Sequence, residues 1–541
     1  MSIIGLFDIG KSALFASQAG LSVTSNNIAN VNTPGYSRQE LVLEIATPAT
    51  TRSGFMGRGV TTAGIRRSYD RFIQSQLIGQ QQSQGRSAAM DGTWGQVEQV
   101  FNEAQGFGLS APLTDYFNAW QEVANDPEGQ TPRTMLLQKA GALVSAAQGM
   151  ERSVRNTLKS ANDGIADAVT QVNGLAKDIA SLNDRITQVE SGANSEKANE
   201  LRDQRDNLMS ELSKLIEFSS YEDANGSVTI TAGMRNLVSG ARTNTLSTTV
   251  NSAGNRELSL DNINITGAIR NGQIGGYIAA RADVESSALT GLRKIIASVT
   301  QQVNALHQGG FGLDASTGND FFNPLQLTTT DDSPLASITA ATITSQTALT
   351  LDEYRIGFDG LGNYSVSNKQ TGAAVAAGAY NPAGTTIALP GMSIDVSGAV
   401  TKADSFTVSP LTTAVSGFGV SITDEQRVAA ASVMAELPGN NTNALALSGL
   451  TESAVANLGN TTYSGYYNSL VSTIGVMDRA AADSATFDEN LTAELAAKRD
   501  SVSGVSLDEE AANLIRFQRS YEAGARMIKV ADELFQTVLS L

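Results

Sequence analysis

LQKAGALVSAAQGMERSVRNTLKSANDGIADAVTQVNGLAKDIASLNDRITQV, residues 137–189, decides the architecture. Alternating steps of three and four place Leu137, Ala140, Val144, Ala147, Glu151, Val154, Leu158 and Ala161 on one stripe. The same steps continue through Ile165, Ala168, Val172, Leu175, Ile179, Leu182, Ile186 and Val189. Glu151 alone breaks this apolar heptad seam, and no proline interrupts it. At 1.5 Å per residue the helix is roughly 78 Å long, too long for a compact sphere. The spacing predicts a rod.

Outward from this stretch, SGANSEKANE (residues 191–200) supplies a turn, and Leu201, Leu208, Leu212 and Leu215 resume the seam. That is a helical hairpin. A second seam runs through Leu289, Leu292, Ile296, Val299, Val303 and Leu306. A third runs through Tyr467, Leu470, Ile474, Met477, Ala481, Leu491 and Leu495, weakened by Ser484 and Asp488. Sequence-distant helices with matching stripes pack side by side, so the class is mainly α: a long antiparallel, coiled-coil-like rod.

Two stretches differ in texture. Residues 217–269 carry Val228-Thr229-Ile230 after the turn Asn225-Gly226, and Ile263-Asn264-Ile265. In residues 311–422, Tyr354, Ile356 and Phe358 alternate, DGLGN follows, and Tyr364 and Val366 alternate again. That is a hairpin signature, and Ile394/Val396 with Phe406/Val408 resemble another. Both stretches are expected as β-rich insertions outside the rod.

At the chain ends, Phe7, Leu14, Leu21 and Ile28 recur every seven residues. Ser506 and Glu509 form a capping box, and Leu507, Ala511, Leu514, Tyr521, Ala525, Ile528, Phe535 and Leu539 follow on a heptad grid. Gln518 and Asp532 interrupt that grid. A solitary terminal helix has nothing to bury its stripe against, so these two need each other or neighbouring subunits.

Composition excludes several functions. Asp and Glu number 54 against 37 Lys and Arg in 541 residues, a formal charge of −17 that argues against a nucleic-acid partner. Cysteine is absent and histidine occurs once, so disulfides, Cys-ligated metals and two-histidine zinc sites are out. No apolar run reaches the ~18 residues of a membrane span. The first residues, MSIIGLFDIGKSALFASQAG, lack a basic n-region and are broken by Asp8, Gly10 and Lys11, a poor Sec signal. A cysteine-free chain rich in Asn, Gln, Ser and Thr nevertheless suits the outside of a cell.

No residue stands out as catalytic, as cofactor-binding or as a metal ligand. His307 precedes glycines at a helix end, where the dipole favours it. Asp314, Asn319 and Asp320 lack the EF-hand pattern and belong to a turn-rich exit from the rod. Asp508, Glu509 and Glu510 occupy a helix first turn, where negative charge is favoured. Arg58, Arg66, Arg67 and Arg71 are expected to be solvated or paired within the chain, and Trp94 and Trp120 to anchor the rod.

Asn30, Asn32, Thr33, Pro34, Gly35 and Tyr36 close the first helix with the recipe of a type II turn: proline at the second position, glycine at the third. The whole string NIANVNTPGYSR (residues 27–38) resembles the N-terminal signature of the bacterial flagellar rod, hook and hook-associated axial proteins. SGVSLDEEAANLIRFQ (residues 503–518) resembles their C-terminal segment, in wording closest to the members at the hook–filament junction. The resemblance covers residues 1–45 and 497–541 and returns at GGFGLDASTGNDFF, Gly309–Phe322.

The resemblance implies a structural subunit without enzymatic activity that joins hook to filament, adapting one lattice to the other. It would assemble with copies of itself through the terminal helices. Its other partners would be hook protein, the next hook-associated protein towards the filament, and a cytoplasmic export chaperone at the C-terminal helix. It also implies an extracellular location, reached by flagellar type III export without a cleaved Sec signal. Residues 1–44 with 504–541 would form the axial core. The helical rod would take 45–216, 270–310 and 423–503, with 217–269 a β excursion and 311–422 an outer head. Three alternatives remain: an adhesin with 311–422 as binding head, a hook or distal-rod subunit, and a carboxylate-based hydrolase.

Overall fold

The computed structural model describes residues 3–540, apart from 52–53, 103–107, 192–196, 332, 334 and 403. Its helices are α1 (Ile3–Ala29), α2 (Arg71–Phe101), α3 (Ser110–Asn125), α4 (Gln130–Glu190) and α5 (Asn199–Leu215). They continue with α6 (Gly272–Val284), α7 (Thr290–Gly309), α8 (Thr442–Ser448), α9 (Tyr463–Ser503) and α10 (Leu507–Ser540). Between α1 and α2 lie strands β1 (Gln39–Ile45), β2 (Ala49–Thr51), β3 (Gly54–Met56) and β4 (Val60–Arg67). No described helix is long and apolar enough to cross a membrane.

The 137–189 stripe lies within α4, one helix of 61 residues. Its middle positions, from Val154 through Val172, are buried as expected. Towards the N-terminus burial moves one place earlier, to Leu136, Leu143 and Met150; towards the C-terminus it moves one place later, to Ala176 and Asn183. This is the drift of roughly 20° per heptad between a straight helix and a strict seven-residue repeat. Val189, at the end of the grid, is exposed.

α5 folds back along α4, but its expected seam is only partly right. Leu212 is buried, whereas Leu201, Leu208 and Leu215 are half-buried and Arg202, Asp203 and Arg205 take interior positions. They do so because acidic and basic partners face them: Glu190 at 2.6 Å from Arg202, Glu222 at 3.1 Å from Arg205, and Arg67 at 2.6 Å from Asp203. On α7 the expected seam is buried from Leu292 to Val303, and on α9 at Tyr467, Leu470, Ile474 and Ala481, while Met477 is exposed.

One core joins α3, the first half of α4, α7 and the start of α9; it contains Trp94 and Trp120, both buried. A second joins the rest of α4 and α5 to sheets of four and three strands from residues 219–264. A third fills the head, a five-stranded and a three-stranded sheet between residues 328 and 409.

Here the structure redraws several expectations. Residues 45–67, assigned to the helical rod, are largely strand, and 423–462 is mostly irregular, with α8 and short 3-10 turns as its only helical parts. Phe321, Phe322, Val415, Phe418 and Ile422, assigned to the head, belong to the rod core. Their aromatic side chains have a larger apolar surface to cover there, where Tyr116 and Trp120 lie 5.8 and 5.3 Å from the Phe321 ring. The Tyr354–Phe358 and Asn363–Asn368 hairpin forms with Ile356 opposite Val366. Met392–Gly398 and Ser405–Ser409 do not pair with each other: they sit in the two different sheets. Both alternate because both face the same core, and alternation reports the face and not the neighbour.

Candidate assembly interface

α1 and α10 pair antiparallel, with Gly10 beside Gly524 and Ile528, Gly20 beside Phe517, and Asn27 beside Glu510. The seam is made of small residues. Gly10, Ser17, Gly20, Thr24 and Asn27 are buried on α1, and Gly524 and Ala531 on α10. A Cβ at Gly20 would stand 2.5 Å from the Phe517 ring, so the close approach depends on glycine.

Of the expected interface residues, Leu14 meets Gly524 and Ile528 meets Gly10 within this seam. Phe7, Leu14, Leu21 and Ile28 are half-buried, as are Leu514 and Ile528. Leu507 and Tyr521 are exposed, with Phe535 46% and Leu539 71% exposed. Ile515, Val530, Leu534 and Val538 join them, so α10 presents large apolar side chains left exposed by the described residues of its own chain. α10 packs along α1 and along no other described helix to any extent.

The signature turn does not lie in that exposed face. Gly35 has φ +78° and the Tyr36 N–H donates to the Thr33 carbonyl at 3.2 Å, as the type II reading requires. The turn opens a polar joint where the α1–α10 pair meets the rod. Asn27 Nδ2 donates to Gln39 O at 2.9 Å and to Glu510 Oε2 at 3.2 Å. Asn27 Oδ1 accepts from the Gln39 N–H at 3.0 Å and from Tyr36 Oη at 2.9 Å. Burial, reinforced by the carboxylates of Asp203, Glu200 and Glu510, holds the Tyr36 phenol well above its usual pKa, so it stays a donor. Asn30 and Thr33 bond within the turn, through Asn26 and Asn30 Oδ1, while Asn32 and Pro34 are exposed.

Arg38 is the residue that closes the joint. Its Nε donates to Glu510 Oε1 at 2.8 Å, a second nitrogen reaches Glu509 at 2.8 Å, and its N–H donates to Ser503 O at 2.8 Å. The Ser37 N–H donates to Asp203 of α5 at 3.0 Å. One short segment thus ties α1, α5, α9 and α10 together. Asn27, Arg38 and Asp203 were not singled out by periodicity, which weighs apolar residues; the string NIANVNTPGYSR contains the first two.

The remaining candidates are structural. Arg58, Arg66, Arg67 and Arg71 pair with Asp8, Glu40, Asp203/Asp206 and Glu222 respectively. His307 is fully buried: Nε2 accepts from the Ala429 N–H at 2.9 Å, leaving Nδ1 to donate to Asn319 O at 2.7 Å. Burial lowers its pKa to about 4, with Arg133 adding to the effect, so it is neutral and not a dipole-favoured cation. Asp314 accepts from the Ser316 N–H and Asp320 from Gln308. Among the described residues no cluster of His, Asp and Glu gathers that could hold a metal.

The chain matches family models along most of its length. Residues 94–322 match the flagellar hook-associated protein FlgK helical domain, and 327–410 the D2-like domain of flagellar hook-associated protein 1. Residues 7–36 match the flagella basal body rod protein model and 498–541 the flagellar basal body rod FlgEFG C-terminal model, which together span α1 and α10. The flagellar hook junction protein FlgK from Burkholderia pseudomallei shares the fold, with a TM-score of 0.70 and 19% identity over 79% of this chain and 100% of that one. Flagellar hook-associated protein 1 of Bacillus subtilis is 27% identical over 98% of this chain and 97% of its own. The Escherichia coli K12 protein of that name is 29% identical over 99% of both chains. With the Salmonella typhimurium protein the identity is 30% over 99% of both chains, and the chain belongs to the flagellar hook-associated protein 1 family.

Proposed function

We propose that this chain is a non-enzymatic structural subunit that joins the hook of a bacterial flagellum to its filament. One observation carries the reading: α10 exposes a row of large apolar residues up to Leu539, on a helix held in register by the Arg38–Glu510 joint. Exposed apolar area of this kind marks a protein interface. Copies pack their terminal helices into a helical array around an axial channel and adapt the hook lattice to that of the filament. Hook protein lies on one side, and the next hook-associated protein on the other.

The subunit acts outside the cell and leaves unfolded by flagellar type III export, without a cleaved Sec signal. The absence of cysteine supports this, since no disulfide can lock the chain before threading. Before export a cytoplasmic chaperone covers the α10 row. The test is deletion of the gene, with electron microscopy of the cells and assay of flagellin in the medium. Hooks without filaments and flagellin lost to the medium are expected; missing hooks or normal filaments overturn the reading.

A further inference from the structure

The helix that carries α6 and α7 does not break between them; it widens. From Glu285 to Leu289 the backbone makes a π turn, and the Thr290 N–H reaches back five residues to the Glu285 carbonyl. A ring of that kind holds one residue more than the ring of an α-helix. Side-chain hydroxyls supply further donors to the carbonyls around it. Thr290 Oγ1 donates to Glu285 O at 2.8 Å, and Ser286 and Ser287 both donate to Asp283 O, at 3.2 and 2.5 Å.

The turn sits where the rod changes core. Ile274, Tyr277 and Ile278 of α6 pack into the second core, whereas Val284, Ala288, Leu289 and Leu292 pack into the first. The facing helix α4 changes core as well, between Leu158 and Ile165. The two run antiparallel. The Tyr277 ring packs on Gly164, Arg281 Nη1 donates to Asn162 Oδ1 at 2.7 Å, and Arg293 Nε donates to Glu151 Oε1 at 2.9 Å.

These two arginine contacts reveal the extra residue. Arg281 and Arg293 are 12 positions apart, whereas their partners Asn162 and Glu151 are 11 apart on α4. Both contacts are interior, since Arg281, Arg293 and Glu151 are buried. An unbroken α-helix over the same stretch would set one flank a residue out of step, roughly 100° around its axis. The turn is also thinly supported. Asp283 and Ser286 are exposed, a groove of about 590 Å³ between α2 and α9 opens beside Asp283, and Gly291, a weak helix former, follows at once.

We infer that Glu285–Leu289 is a phase-setting, yielding turn. Its extra residue seats α6 in the second core and α7 in the first with both arginine contacts made. It also opens locally while the helix on either side, pinned by those arginines, stays closed; regions of thin support open before the core does. The device belongs to the fold of the rod, goes beyond the assembly reading above and does not rest on it.

Deletion of Ser286 in the full chain tests it. The ring loses its extra residue, the two spans become equal, and the turn closes as α-helix. The variant is expected to melt no lower than the unaltered chain. Deletion of Thr300, in the middle of α7, instead throws Val303 and His307 out of the core and lowers the melting temperature. By hydrogen exchange, amides of residues 288–291 in the unaltered chain exchange faster than those of 295–299. They slow by about tenfold once Ser286 is removed, the worth of one more helical hydrogen bond. Glu151→Gln costs the same stability in both backgrounds, because the Arg293 contact is kept. Melting of the Ser286 deletion as low as that of the Thr300 deletion overturns the proposal. So does equal protection of 288–291 and 295–299 in the unaltered chain, a measurement that needs no variant to fold. A Glu151→Gln cost that vanishes in the Ser286 deletion means that the register was lost, and overturns it as well.

Discussion

His307 makes the most exposed quantitative commitment of the structure, because it is the sole histidine of the chain. Its ring is fully buried, edge-on to Trp120 and Phe321. Nε2 accepts from the Ala429 N–H, so a proton there would meet a donor. The perturbation is acidification. The folded group holds no proton until about pH 4, against 6.5 for the free side chain. Between those values the unfolded chain binds a proton that the folded chain does not, so stability is full above pH 6.5 and falls as pH falls towards 4. The gap corresponds to about 3 kcal/mol. The direct assay is NMR titration of the imidazole Cε1–H, uncrowded by other histidines. Urea unfolding at several pH values is the second: His307→Asn loses the part of the slope between pH 6.5 and 4 that belongs to this ring. A titration midpoint near 6.5, or identical slopes for the two chains, refutes the account.

Other consequences follow from the terminal pair. Gly20→Leu drives a side chain into the Phe517 ring and destabilises the α1–α10 pair by about 1–3 kcal/mol, read as faster amide exchange on both helices while the rod core keeps its protection. Arg38→Ala strips the 2%-exposed Glu510 carboxylate of its ion pair and costs about 3 kcal/mol, the low end for a buried pair because the Arg38 side chain is 20% exposed. A double-mutant cycle with Glu510→Gln returns a coupling above about 0.5 kcal/mol; simple additivity would show that the joint is not a unit. Leu534→Ser with Phe535→Ser touches exposed positions, so stability changes by no more than about 0.5 kcal/mol while cells lose their filaments. Normal swimming of that variant would contradict the role given to the α10 row.

Local pattern was enough for much of the fold. The stripe from Val154 to Val172 is buried as its spacing dictates, and Pro34-Gly35 turns as those two residue types require. The Tyr354–Val366 hairpin is equally legible, because its two strands and turn are contiguous. The path of α2 was not, since its interior positions include Gln74, Gln81, Gln82, Ser87 and Thr93. Gln81 Oε1 accepts from Ser210 and Ser213 hydroxyls, and Gln82 donates to Phe218 O, so these side chains are satisfied only by partners far away in sequence.

The same division runs through the candidate interface. Sequence alone determined that both chain ends are amphipathic helices in need of a partner, because a heptad stripe reports that a face is to be covered. It does not report what covers it. Tertiary structure decided that glycines of α1 and α10 seat larger side chains of the other helix, Gly20 against Phe517 and Gly524 against Leu14, and that Phe535 and Leu539 remain exposed. Close backbone approach favours the smallest side chains at a seam, and these leave no hydrophobic signal. It also decided that Arg38 closes on Glu510, 472 residues away. A charge pair over such a distance is fixed by where the rod ends, and no spacing in the chain encodes it.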